Sequence, residues 1–364
     1  MKKPLFIRFK NTKTGGAEIY LSRIAQAIYD KNPSIFSSGD YSQDSKLFVK
    51  IPRFFPSFLA FLYFLYSYEK FHKSHPNFLY FSLERVLHCD IYRAGDGIHK
   101  QWLAIKTHNK PFKKFKSFFN PMNILYTFIE PKLFKNAKKI IANSQMIKDS
   151  LIEYFHIPPH KIEVIYNGIK IPKAINKGKA KESLIHKFPV LKEKIFILFV
   201  GSGYARKGLK EALIMLSKVT SKQWHFLIIG KDKKITYYQK LAQTLSLEDN
   251  VLFLNAQENI VSFYQASDIF LFPTTYEPCS NATLEAASYE NAIITTKQNG
   301  AGELFLSDTI LENSKDILRG CEILNTLLEN QQLLSTTQKK CAKAVQHLTL
   351  QNHLEKTLEV IKNL

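Results

Sequence analysis

Cysteine is scarce, and the four present, Cys89, Cys279, Cys321 and Cys341, form no CxxC pair and no Cys/His cluster. Neither a zinc site nor a disulfide framework is therefore expected, and a reducing cytosol fits. The segment MKKPLFIRFK has a basic pair but only a short apolar run broken by Arg8, too little for a signal-peptide core, so secretion is not expected. No GK[ST] follows a glycine-rich turn, which disfavours a P-loop nucleotide triphosphatase. Acidic residues are few in the first half. Residues 1–170 hold 27 Lys+Arg against 12 Asp+Glu, a net of +15, whereas residues 171–364 hold 24 against 19, a net of +5. Such a field attracts nucleic acid, anionic lipid head groups or phosphorylated substrates, and composition does not choose among them.

What is present is core-forming material. With 45% hydrophobic and 23% charged residues the chain can bury real cores, and 364 residues predict two domains, hence a cleft. From residue 195 the pattern is regular. The apolar runs IFILFVG, WHFLIIG, NVLFLN, DIFLFPT and AIITT alternate with the helical stretches GLKEALIMLSKV, YYQKLAQTLSL, IVSFYQAS and NATLEAASYE. Short continuous apolar strands between amphipathic helices predict a parallel sheet covered on both faces, with ligands at the carboxyl ends of the strands. The first half offers PLFIRF, NFLYFS, CDIYRA and KKIIAN as strands, and GGAEIYLSRIAQAIYD and SQMIKDSLIEYF as helices, the latter N-capped by Ser144. It reads as a second doubly wound domain. The polar, lysine-rich residues 171–194 separate the halves, with the linker at their start and a helix beyond. The domains are thus 1–170 and 171–345, and a last helix within 346–364 is free to pack on either.

Two loops carry chemistry. GSGYARKGLK follows the strand at 195 and sets Arg206 and Lys207 at the start of the next helix, where two cations would join the helix N–H groups in holding a diphosphate. As isolated residues they are equally compatible with solvated loop charges. After DIFLFPT, Glu277 falls in a loop and Glu285 inside the helix beginning near Asn281. Buried carboxylates need donors, and sugar or ribose hydroxyls are suitable ones. The competing reading is a solvated Glu at each position, less natural for Glu285 within the small, apolar run ATLEAAS.

Taken in order, FVGSGYARKG, LIIGKD, ASDIFLFPTTYEPCSNATLEAAS and NGAGEL resemble the donor-binding domain of the family 4 retaining glycosyltransferases. The resemblance implies an α/β, GT-B architecture: two Rossmann-like doubly wound domains facing across a cleft. It also implies that Arg206 and Lys207 neutralise the nucleotide diphosphate and that Glu277 contacts the donor sugar. Glu285 would bind the ribose, with Gly201, Cys279, Ser280 and Asn281 lining the donor site. Cys279-Ser280 departs from the family's more frequent Phe-Gly. KTGGAEIYLSRIA resembles the family's glycine-rich loop, in which Gly15 and Gly16 let the backbone approach the donor. ANSQMIKDSLIEYF with IEVIYNGI resembles the closing elements of the first domain, although Tyr166 stands where Pro is common. No DxD occurs, so a metal bridging the diphosphate is not expected, and no cofactor is implied beyond a nucleotide-sugar substrate.

DIYRAGDGIH, followed by Trp102, is most similar to the lipopolysaccharide core glucosyltransferase I subgroup, which makes Asp96 the loop acid facing the donor sugar. His99 then either binds acceptor phosphate or packs against the loop, and His88 is read as structural. Residues 100–139 hold ten lysines, one acid (Glu130), and interleaved aromatics including Trp102, Phe112, Phe115, Phe118, Phe119, Tyr126 and Phe128. This composition suits an anionic membrane surface, and it would also serve RNA. The apolar stretch near 54–68 is a core helix or an interfacial one, too short to read as a membrane span.

The resemblance therefore implies a retaining hexosyltransferase that uses UDP-glucose, without a metal, on a lipid-linked lipopolysaccharide core acceptor. It would act peripherally at the cytoplasmic face of the inner membrane, with no nucleic-acid partner. The alternatives are another nucleotide sugar or glycan acceptor, such as a capsule or glycolipid, and, from a different class, a basic RNA-binding protein.

Overall fold

Strands that are apolar on both faces can be buried only when helices cover both sides, and this requirement shapes both halves of the chain. The computed structural model describes residues 2–10, 16–27, 33–38, 47–52, 54–108, 111–192 and 194–364, without the side chains of 16–19, 111, 113, 114 and 118. Gly15 lies outside the described residues. The chain forms two units, one made of Met1–Tyr166 with Gln351–Leu364, the other of Asn167–Leu350.

In the first unit the elements run β1 (Lys3–Lys10), α1 (Gly16–Ala27), β2 (Ser34–Ser38), β3 (Leu47–Phe48), α2 (Ser57–Ser74), β4 (Phe78–Ser82) and β5 (Ile91–Ala94). They continue with α3 (His99–Thr107), α4 (Pro111–Phe118), α5 (Pro121–Asn136), β6 (Lys139–Ala142), α6 (Gln145–Phe155) and β7 (Ile162–Val164). The sheet order is β3-β2-β1-β4-β5-β6-β7 and its pairings are parallel. Leu5, Phe6 and Ile7 at its centre have no exposed surface. Ser144 caps α6 by accepting from Ile147 N. The stretch near 54–68 is buried along one face only, so it belongs in part to the core. Phe61, Phe64, Leu65 and Tyr68 of α2 are buried, whereas Phe54, Leu59, Tyr63 and Tyr66 are exposed.

The second unit contains α7 (Lys177–Lys187), β8 (Ile195–Val200), α8 (Tyr204–Lys207), α9 (Leu209–Ser217), β9 (Trp224–Ile229), α10 (Ile235–Thr244), β10 (Val251–Phe253), α11 (Ile260–Ala266) and β11 (Ile269–Phe272). After these come α12 (Asn281–Ser288), β12 (Ala292–Thr296), β13 (Ile310–Leu311), α13 (Ile317–Glu329) and α14 (Gln331–Val345). Its parallel sheet has the order β10-β9-β8-β11-β12-β13. In each unit the strand order reverses once, between β1 and β4 and between β8 and β11. At such a point the loops leaving two neighbouring strands diverge to opposite faces and open a crevice. The entering chain is tied down where Ile169 N donates to Leu348 O at 2.8 Å and Ile169 bridges Thr349.

The last helix, α15 (Leu350–Lys362), gives Val360 and Ile361 to the same apolar cluster as Phe6, Leu21, Ile24 and Leu79 of the first unit. His353 on this helix packs its ring edge-on to Tyr20 at 5.2 Å and donates from Nδ1 to Tyr166 O at 2.6 Å. Burial, with smaller pushes from Arg93 and Arg23, lowers its pKa to about 4. In the unfolded chain the imidazole takes a proton near pH 6.5, so between these values the unfolded state holds more protons and stability falls as pH falls. Urea unfolding of the first unit should therefore weaken from pH 6.5 towards 4, and His353→Gln should remove up to about 1.4 kcal/mol per pH unit of that slope. An unchanged slope in the variant would contradict a neutral, buried His353.

Candidate functional site

The strand-order reversal in the second unit brings the loop after β8 beside the loop after β11. The first turns at Gly201 (φ +147°), where a Cβ would lie 2.5 Å from Lys207 Nζ. Only glycine lets Lys207 fold back over this turn. Tyr204–Lys207 then forms a four-residue helix closed by Gly208 (φ +79°), where a Cβ would strike the Pro273 carbonyl. Arg206 and Lys207 thus close this short helix and do not open α9, which corrects their expected place at the start of a longer helix. The pattern ARKG hides the break because Gly208 works as a left-handed hinge between two helical segments.

The two loops are stitched together through Arg206. Its carbonyl accepts from Thr275 N (2.9 Å) and from the hydroxyls of Thr274 (3.0 Å) and Thr275 (2.9 Å). Its Nη1 donates to Glu277 Oε2 at 2.7 Å and to Tyr276 O at 2.8 Å. Lys207 Nζ stands 3.7 Å from the same carboxylate oxygen and 5.1 Å from the centre of the Phe272 ring. The Lys207 side chain is only 14% exposed, and burial pulls its pKa down, against the pull of Glu277 and with that of Arg206. Two cations, Lys207 largely buried and Arg206 partly exposed, therefore share one carboxylate, which leaves a surplus positive charge for an incoming anion.

The residues that follow are held rigidly. Ser280 caps α12 by accepting from Thr283 N (3.2 Å), while its own N–H donates to Asn299 Oδ1 (3.3 Å). The buried Asn299 amide donates to the hydroxyls of Thr283 and Thr295 at 3.0 and 3.1 Å. Asn167 Nδ2 donates to Cys279 O (3.1 Å) and to Asn281 Oδ1 (2.8 Å), which fixes the first turn of α12. Glu285, half-buried on α12, hydrogen-bonds the buried Tyr264 hydroxyl; burial and then Glu285 raise that phenol's pKa well above its usual value. Arg206, Lys207 and Glu277 are thus brought into contact, and Glu285 stands on the next helix with a donor of its own.

In the first unit, the loop after β5 carries Asp96, 59% exposed, with Arg8 Nη1 of β1 at 3.8 Å. Arg8 also approaches Glu84, whose carboxyl pKa is raised by burial, against Arg8 and together with Asp96. The loop is anchored by Glu130, a buried acid on α5 whose role the sequence did not reveal. Glu130 Oε1 accepts from Arg85 Nε (3.0 Å) and His99 N (2.6 Å), and Oε2 accepts from Lys100 N (3.1 Å). Arg85 in turn donates to Gly97 O at 3.0 Å and stacks over Tyr126 at 4.8 Å. The N-cap position of α3, Ile98, has no side-chain acceptor, so Glu130 supplies one from a different helix. The one available signal was its isolation as the sole acid among ten lysines. Between the two readings of His99, the geometry favours packing. It meets Tyr126 edge-on at 5.2 Å, and burial followed by Arg85 lowers its pKa to about 4. His88 pairs with Glu69 at 2.7 Å. Gly16 opens α1.

Around α3–α5 large apolar side chains face water, among them Phe112, Phe115, Phe119, Ile124 and Phe128. Among the described residues no helix is long and apolar enough to cross a membrane, and no three His, Cys, Asp or Glu side chains gather where a metal could sit.

Two doubly wound parallel units, one with an Arg–Lys–Glu cluster where its strand order reverses, define a glycosyltransferase of the GT-B fold. The family model for glycosyl transferases group 1 matches residues 180–347, and that for Glycosyltransferase Family 4 matches residues 14–171. The chain belongs to the family 4 glycosyltransferases. It is 29% identical over 233 residues to the N-acetylgalactosamine-N,N'-diacetylbacillosaminyl-diphospho-undecaprenol 4-alpha-N-acetylgalactosaminyltransferase of Campylobacter jejuni subsp. jejuni serotype O:2, covering 62% of this chain and 60% of that one. The chain spans about half the length of the curated relatives it matches. In fold it is similar to WaaG, a glycosyltransferase involved in lipopolysaccharide biosynthesis (TM-score 0.79, 18% identity, 98% of this chain and 99% of that one). It is likewise similar to Anabaena HepE in complex with UDP-glucose (TM-score 0.74, 19% identity, 100% of both chains).

Removing Glu130 strands Arg85 and two helix N–H groups. Glu130→Ala is expected to cost the first unit about 3–5 kcal/mol in urea unfolding and to speed amide exchange at His99 and Lys100. Unaltered exchange at both amides would exclude the capping role.

Proposed function

We propose that this family 4 glycosyltransferase transfers glucose from UDP-glucose to a lipid-linked lipopolysaccharide core acceptor, with retention, while docked peripherally on the cytoplasmic face of the inner membrane. The observation that carries the reading is the Arg206–Lys207–Glu277 cluster. When the glycosidic bond to UDP breaks, negative charge grows on the departing diphosphate, and a preorganised pair of cations, one of them largely buried, favours that state over the ground state. Arg206 and Lys207 take this role, with no metal ion or other cofactor. Glu277, released in part from Arg206 by the diphosphate, turns to the donor sugar. Glu285, fixed from behind by Tyr264, accepts from the ribose hydroxyls. Gly201 admits the donor closely and Cys279, Ser280 and Asn281 line its site, while the family resemblance assigns Gly15, Gly16 and Asp96 to contacts with the same donor. Attack comes from the front face, assisted by the leaving phosphate.

The donor is supported by the UDP-glucose named in the Anabaena complex, and the acceptor class by the lipopolysaccharide role named for WaaG. The Campylobacter relative's name favours one further reading inside the class, an undecaprenyl-diphosphate-linked glycan as acceptor. The lysines and exposed aromatics of α3–α5 support membrane docking.

UDP should raise the melting temperature and RNA should not. Arg206→Ala or Lys207→Ala should lower kcat by about 10²–10³-fold with a smaller change in KM, and transfer should survive EDTA. Losses confined to KM, or strict dependence on added Mg²⁺ or Mn²⁺, would refute this use of the cluster.

Co-sedimentation with anionic vesicles should be strong at low salt and weaken as salt rises, each lysine near the surface contributing about 1 kcal/mol. Neutral vesicles should bind poorly, and Lys113, Lys114 and Lys116 replaced together by Ser should reduce binding without altering the UDP shift. Equal binding to both vesicle types would remove the electrostatic docking.

A further inference from the structure

We propose that the groove between α3, α4 and α5 is a binding site for one hydrocarbon chain, the tail of a phosphate-headed lipid. The inference rests on the membrane-docked reading above and deepens it by giving the tail a place of its own in the protein.

The groove has a volume of about 610 Å³, within the range of about 300–1,000 Å³ typical of pockets that enclose a small ligand. Its walls are built from Leu103, Ala104, Ile124 and Phe128, with the methyl-bearing Thr107 and Thr127 between them. Apart from Lys100, the polar side chains on the lining already have partners on the groove's own helices. Thr107 donates to Leu103 O and Thr127 to Asn123 O, both at 2.7 Å, and the Asn123 amide donates to Ser117 O (3.1 Å) and Ser117 Oγ (2.8 Å). Hydrogen bonds spent on the groove's own helices offer little to a sugar or a nucleotide, which would lose its hydration without replacement. A hydrocarbon chain has no such loss, and it removes apolar wall from water.

Charge selects the head group. Lys100 lies on the groove with an exposed side chain, and residues 100–139 add nine further lysines. The one acid of that segment, Glu130, is wholly buried and committed to Arg85 and the α3 N–H groups, so it opposes no phosphate at the surface. A second copy of the same chain would bring the same positive surface and be repelled, whereas a phosphate-headed lipid complements it. Phe112, Phe115 and Phe119, exposed on or just beyond the adjoining α4, sit where rings would enter the head-group boundary as the tail enters the groove.

The test uses full-length protein with dansylundecanoate as fluorescent reporter and hexadecyl phosphate, below its micelle concentration, as competitor. Hexadecyl phosphate should displace the reporter, and butyl phosphate, with the same head group and almost no tail, should require at least a hundredfold more. Ala104→Trp, which fills the groove, should weaken hexadecyl phosphate at least tenfold. Ile124→Lys, at a position more than half exposed and so tolerant of charge, should do the same should the first variant fold poorly. Equal displacement by butyl phosphate would overturn the groove in favour of simple head-group attraction. So would unchanged affinity in Ile124→Lys, or a self-association that the variants abolish while chain binding persists. The UDP melting shift is read on the same samples. Protein that binds the chain but not UDP supports the groove and overturns the donor reading, and protein that binds UDP but not the chain overturns the groove alone.

Discussion

Glu130 has no exposed surface, and burying a carboxylate is costly unless hydrogen-bond donors replace the water it has lost. The structure supplies three: the Arg85 guanidinium and the N–H groups of His99 and Lys100. Arg85 then reaches Gly97, so the side of the Asp96 loop that leads into α3 is held by one acid on α5, directly and through Arg85. The second unit meets the same demand differently. There Glu277 is compensated by Arg206 and Lys207, and this pairing draws the loop after β8 onto the loop after β11. In both units the cost of taking a carboxylate out of water is met by hydrogen bonds that order the surrounding loops.

The parallel sheets decide where these clamps can form. Neighbouring strands β8 and β11 send their loops out at the same edge, so residues seventy positions apart, Arg206 and Tyr276, meet within hydrogen-bond distance. The backbone there is close enough that side chains at Gly201, Gly208 and Gly230 would collide with Lys207, Pro273 and Gly201 respectively. Burial does the electrostatic tuning. Lys207 loses part of its preference for a proton, and the neutral His99 becomes a packing group against Tyr126.

The second unit was legible because its strands are nearly continuous apolar runs and its helices amphipathic, two patterns that are hard to mistake for each other when they alternate. The first unit was only partly so. Serine-rich β2 and two-residue β3 have little intrinsic strand signal and exist because a neighbouring strand offers an edge to pair with, β1 for β2 and β2 for β3. Arg206, Lys207, Glu277 and Glu285 could be singled out from spacing and from their resemblance to the family, but that Arg206 and Glu277 form an ion pair could not. Glu130 carried no motif at all, since the groups it satisfies lie 30 to 45 residues away.

By itself, then, the sequence determined the two-unit parallel architecture, the basic, aromatic character of residues 100–139, and which loops carry Arg206, Lys207 and Glu277. These follow from local periodicity, composition and short-range spacing, properties that need no knowledge of what packs on what. Only the tertiary structure decided that Arg206 and Lys207 share Glu277, that α15 returns to the core around Phe6, that α2 is buried on one face and exposed on the other, and that Glu130 caps α3. Each of these depends on which distant group fills a vacancy in hydrogen bonding or packing, and such vacancies come into being only when the chain has folded.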